Sequence, residues 1–64
     1  MINLGNNLKE FRQYNELSQE IIACRLGVSR QAISQWEHNL TYPGIENLVR
    51  LTQIFDCDIN ELLF

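Results

Sequence analysis

At 64 residues the chain has room for one domain, 1–64, and folding a chain this short buries only about 60 % of its unfolded surface. An apolar fraction of 45 % supports a core without metal or disulfide staples, and 20 % charged residues with a net charge of −3 exclude a disordered chain. Taken as one number, the acidic balance weighs against a surface that grips a polyanion.

In chain order the sequence reads as five short helices, with no hairpin signal and no low-complexity stretch. Leu4, Leu8 and Phe11 recur at i, i+4 and i+7, which predicts a first helix from about Ile2 to Tyr14. Ser18 is a good N-cap for a second helix ending near Leu26, with Ile22, Ala23 and Leu26 inward. Gly27 supplies the positive φ of a tight turn. Ser29 caps a third helix to about His38, and Asn39, tolerant of the left-handed conformation, stops it. Tyr42-Pro43-Gly44 is a turn into a fourth helix with Ile45, Leu48, Leu51 and Phe55 inward. Asp58 and Glu61 make a capping-box start for a last helix, whose Ile59, Leu62 and Leu63 close the core.

Several classes of protein fall away. No run of about 18 apolar residues occurs to span a membrane. Met1-Ile2-Asn3-Leu4-Gly5 lacks the basic flank and apolar stretch of a signal peptide, so the chain is expected in the cytoplasm. Cys24 and Cys57 read as two reduced thiols, and His38 has no Cys or His at metal-ligand spacing. No His–carboxylate–nucleophile set or glycine-rich phosphate loop suggests an enzyme, and no cofactor is implied.

The second helix, its turn and the third helix together fit a helix-turn-helix. Ala23 is small where two crossing helices approach, and Ile22, Leu26, Val28, Ile33 and Trp36 fill the wedge beneath them. On the third helix, with Arg30 at zero, Ser34, His38, Gln31 and Gln35 fall at about 40°, 80°, 100° and 140°. Ala32, Trp36 and Ile33 fall at about 200°, 240° and 300°. An ordinary amphipathic surface helix would show the same separation. Here, however, the outward arc carries Arg and two Gln rather than a Glu/Lys mixture. Arg can pair with guanine O6/N7 and Gln with adenine N6/N7, each through two hydrogen bonds.

The stretch Leu17-Ser-Gln-Glu-Ile-Ile-Ala-Cys-Arg-Leu-Gly-Val-Ser-Arg-Gln-Ala-Ile-Ser-Gln-Trp-Glu37 resembles the lambda-repressor-like (Xre/Cro-type) helix-turn-helix family. The likeness continues through Tyr42-Pro43 and Glu46-Asn47-Leu48 to Asn60-Glu61-Leu62-Leu63 and covers nearly the whole chain. It implies an all-α five-helix bundle, a transcriptional regulator or repressor that binds operator DNA as a homodimer. By position it implies base contacts from Arg30, Gln31, Ser34 and Gln35. It implies backbone contacts from Gln19, Ser29, His38, Asn39 and Thr41, and a structural ion pair between Arg12 and Glu37. The sequence departs from the family at Glu16 and Asp56, where relatives often have Gly, and at Cys57, where they have a β-branched residue. Leu40 replaces a frequent Lys or Gly, which removes positive charge from the expected DNA edge.

Trp36 and Cys57 are expected in the core, Cys24 exposed, and Tyr14 and Tyr42 packed at the edges. Leu63 and Phe64 finish the core or mark a contact surface. Residues 1–42 carry Lys9, Arg12, Arg25 and Arg30 against Glu10, Glu16, Glu20 and Glu37, net zero, so the acidity lies in residues 43–64. Sequence-specific binding of double-stranded DNA is the leading reading. The alternative is the same fold used as a protein-interaction or dimerisation module with little DNA affinity.

Overall fold

A computed structural model describes residues 1–64, which form α1 (Leu4–Tyr14), α2 (Gln19–Leu26), α3 (Arg30–Glu37), α4 (Ile45–Phe55) and α5 (Ile59–Leu63). The helix starts follow from local side chains. Ser18 Oγ accepts the Ile21 N–H at 3.0 Å and Ser29 Oγ accepts that of Ala32 at 3.1 Å. Asp58 and Glu61 form the reciprocal box at the head of α5, with Glu61 Oε1 accepting the Asp58 N–H at 2.9 Å.

Four of the helices stop by one device. A left-handed residue follows the last turn: Glu16 (φ 56°), Gly27 (70°), Asn39 (58°) and Asp56 (51°). The next N–H then reaches back to a carbonyl of the helix: Leu17 to Arg12, Val28 to Ala23, Leu40 to Gln35 and Cys57 to Thr52.

Every helix contributes to one core. It comprises Leu4, Leu8, Ile22, Ala23, Leu26, Ile33, Trp36, Leu51, Phe55 and Leu62, with Phe11 stacked on Phe55 at 5.5 Å between ring centroids. Helix α3 packs on α1 and α2, while α5 packs on α1 and α4. The two ends of the chain are tied together. The Asn3 N–H donates to the Leu63 carbonyl at 2.6 Å, and Asn7 Nδ2 donates to the Leu62 carbonyl at 3.0 Å.

The structure corrects the sequence reading at several places. Helix α1 begins at Leu4 rather than Ile2, and α3 ends at Glu37 with His38 as its cap residue. Ile45 is not inward but 81 % exposed, because at 100° per residue it lies about 120° round α4 from Leu51. Ile59, on the first turn of α5, is also exposed, and Leu62 does the burying. Tyr14 and Tyr42 stand in solvent instead of packing at the edges. Cys57 is half-buried against the core and Cys24 is exposed.

One close approach positions α3. Gly5 is buried where α1 meets the end of α3, and a Cβ there would lie 2.6 Å from the Glu37 carbonyl oxygen and 2.8 Å from the Asn39 carboxamide. Asn3 makes no side-chain cap for α1. Asn39 supplies that contact from 34 residues further along, its Oδ1 accepting the Gly5 N–H at 3.0 Å.

Candidate nucleic-acid interface

The face opposite the core on α3 presents Arg30, Gln31 and His38 to solvent, with Ser34 and Gln35 half-buried beside them. Ile33 and Trp36 anchor the other face, so the helix cannot roll without opening the core. Ser29 spends an oxygen lone pair on the Ala32 N–H, which leaves its hydroxyl hydrogen free to donate outward. Thr41 Oγ1 lies 3.5 Å from Gln35 Oε1, which turns the NH2 of that amide away from the loop.

His38 Nδ1 lies 2.7 Å from the Ser34 carbonyl oxygen. A carbonyl can only accept, so Nδ1 carries the hydrogen and Nε2 is left facing outward. Asn39 is placed differently from a free backbone contact, because its Oδ1 is already engaged by Gly5.

Arg12 and Glu37 meet beneath this face. Arg12 Nε reaches Glu37 Oε2 at 2.6 Å and Nη2 reaches Oε1 at 3.1 Å, a bidentate fork, while Nη1 donates to the Leu17 carbonyl at 3.1 Å. The Glu37 side chain is only 2 % exposed, and no buried side-chain polar atom in the domain lacks a partner. Gln19, the first residue of α2, joins this group by donating from Nε2 to Glu37 Oε1 at 3.0 Å. Its own Oε1 accepts from Arg30 Nη1 at 3.2 Å.

Of the residues singled out from sequence, the fold thus gathers Arg12, Gln19, Arg30 and Glu37 into one hydrogen-bonded chain. Gln31, Ser34, Gln35, His38 and Thr41 lie further along α3 and its exit loop. The contact of Gln19 with Glu37, 18 residues apart, and that of Gly5 with Asn39 have no local signature in the sequence.

A polar-faced α3 seated on α2 through a left-handed turn is a helix-turn-helix by geometry, and the sequence profile described as helix-turn-helix matches residues 8–62. The chain belongs to the helix-turn-helix family. The HTH-type transcriptional activator BcrR of Enterococcus faecalis is 41 % identical over 59 residues, covering 92 % of this chain and 29 % of that protein. Repressor protein C2 of Salmonella phage P22 is 35 % identical over 60 residues, covering 94 % of this chain and 28 % of that protein. The chain therefore spans less than a third of the length of these two relatives.

Among solved structures, a transcriptional regulator from Listeria innocua superposes with a TM-score of 0.94 at 28 % identity, covering 98 % of this chain and 59 % of that one. The P22 c2 repressor in complex with synthetic operator 9T superposes with a TM-score of 0.87 at 35 % identity, covering 94 % and 91 %. The helix-turn-helix domain thus has the all-α, five-helix, lambda-repressor-like architecture that its sequence suggests.

Proposed function

We propose that this helix-turn-helix domain binds double-stranded operator DNA sequence-specifically and regulates transcription, with α3 in the major groove. The single observation that carries this reading is the outward face of α3. Arg30 and Gln31 are exposed at its N-terminal end, where a recognition helix meets base edges, and Ser34 and Gln35 lie one turn on. The likeness to the P22 repressor, a protein crystallised on its operator, supports it over nearly the whole domain. In this arrangement Arg30, Gln31, Ser34 and Gln35 contact bases. Gln19, Ser29, His38, Asn39 and Thr41 hold the DNA backbone, with Asn39 using the Nδ2 end of its carboxamide.

The proposal includes a homodimer in the cytoplasm, reading two half-sites about 34 Å apart. The exposed Ile45 and Val49, one turn apart on α4, support a self-association surface. Selection of bound sequences from a randomised DNA library, followed by anisotropy titrations, tests the reading. Alanine at Arg30 or Gln31 is expected to cost about 1–3 kcal/mol at one base position each. Alanine at His38 or Thr41 is expected to weaken all sequences alike.

The exposed Leu40 and Ile45 favour a second reading, a protein-interaction module with little DNA affinity. Absence of any binding at about 50 mM salt, where electrostatic attraction is strongest, would select it.

A further inference from the structure

The most buried charge in the domain is connected to an exposed base-reading candidate. Glu37 is a carboxylate, and a carboxylate can only accept hydrogen bonds. Its Oε1 takes one from Arg12 and one from Gln19 Nε2. The Gln19 amide must therefore turn its NH2 inward and its carbonyl oxygen outward. That oxygen is the atom that Arg30 Nη1 meets, at 3.2 Å. A neutral amide at position 37 would accept Gln19 either way round. A reversed Gln19 would present its NH2 to the guanidinium, donor against donor, and release Arg30.

We infer that the charge of Glu37 sets the direction of the Arg30 guanidinium through Gln19, so that Gln19 and Glu37 are positioning residues for base discrimination. The inference rests on the proposal that Arg30 reads a base, and it adds that the aim of this side chain is fixed from the core. Arginine is long and samples many rotamers. One hydrogen bond that favours a single orientation raises the binding-competent fraction before DNA arrives. Gln19 thereby differs from a plain phosphate contact, whose loss weakens every sequence by the same factor.

The test uses the selected operator and its single-base variants, titrated by fluorescence anisotropy against the wild-type domain, Arg30→Ala, Gln19→Met, Glu37→Gln and the Gln19→Met/Arg30→Ala double variant. Gln19→Met keeps the length and helix propensity of the side chain and removes both hydrogen bonds, so it tests the inference even if Glu37→Gln unfolds. Arg30→Ala identifies the base position concerned by losing roughly tenfold or more of its discrimination.

Beyond the affinity that its proposed backbone contact supplies to every operator alike, Gln19→Met is expected to lose about three- to tenfold of discrimination at that same position, at most about twofold elsewhere, and to add no further loss of discrimination in the Arg30→Ala background. Glu37→Gln, measured below its unfolding transition, is expected to show the same pattern. A Gln19→Met loss that is equal on every operator and leaves discrimination unchanged, as the backbone contact alone would give, with Arg30→Ala still position-specific, overturns the inference and leaves the base-reading proposal standing. A uniform loss for Arg30→Ala overturns that proposal and this inference together, so the Arg30→Ala data alone separate the two failures.

Discussion

Taking the Glu37 carboxylate out of water costs solvation energy that only close geometry can return, and the fork from Arg12 returns it with two short bonds. Glu37→Gln removes one partner and leaves the Arg12 guanidinium in a largely dehydrated site. The expected loss is about 3 kcal/mol. In a domain this small that lowers the melting temperature by more than about 10 °C, read by circular dichroism, and an unchanged transition would contradict it. The two thiols differ for equally local reasons. Burial, joined by the carboxylates of Glu61, Asp58 and Asp56, pushes the Cys57 thiol above its ordinary value, whereas Cys24 is exposed. The fold thus favours the neutral thiol of Cys57. Its contribution to stability is intact below the ordinary thiol pKa and is lost as pH rises from there through the raised value of the folded state. Alkylation with iodoacetamide at about pH 8, followed by mass spectrometry, should label Cys24 first, and equal rates at the two sites would contradict this.

At the scale of the element, the four left-handed stops are a repeated design with uneven residue choice. Only Gly27 occupies its position without a Cβ penalty, while Glu16 and Asp56 hold the same conformation at a cost of about 1 kcal/mol each. Glu16→Gly and Asp56→Gly are each expected to stabilise by about 0.5–1 kcal/mol, after allowing for the greater freedom of glycine in the unfolded chain, and Gly27→Ala to destabilise by a similar amount. Urea unfolding midpoints check all three. The caps explain why these elements were legible in the sequence. Ser18, Ser29, Asp58 and Glu61 act on backbone groups two or three residues away, so their chemistry is written locally. The facing of Ile45 was not legible, because which flank of α4 turns to the core is decided by neighbours distant in sequence, such as Phe11 against Phe55. The candidate site divides the same way. The polar arc of α3 follows from periodicity, but the tie from Glu37 through Gln19 to Arg30 exists only once three helices have met.

Across the whole molecule, charge is sorted by position. Glu46, Asp56, Asp58 and Glu61 belong to α4, α5 and the turn between them, while α3 packs on α1 and α2. The net charge of −3 therefore says little about the face proposed to meet DNA. That face is nonetheless poor in cations. Of the four basic residues in the first 42, Arg12 is held by Glu37, which leaves Lys9, Arg25 and Arg30. With so few phosphate partners, the slope of log affinity against log salt is expected to be no steeper than about −3 per protomer. Anisotropy titrations between about 50 and 200 mM salt measure it, and a much steeper slope would mean that other charged groups engage the backbone. Under the proposed function, affinity would then lean on base contacts, backbone N–H groups and the proposed pairing of protomers.

The contact between Gly5 and the exit of α3 has a genetic consequence. Any side chain at position 5 drives into the Glu37 main-chain carbonyl, which cannot step aside as the tip of a flexible side chain could. A screen for loss-of-binding alleles should therefore recover substitutions at Gly5, in a helix with no proposed DNA contact, alongside those in α3. Such alleles would be suppressed by lower growth temperature rather than by changes in the operator.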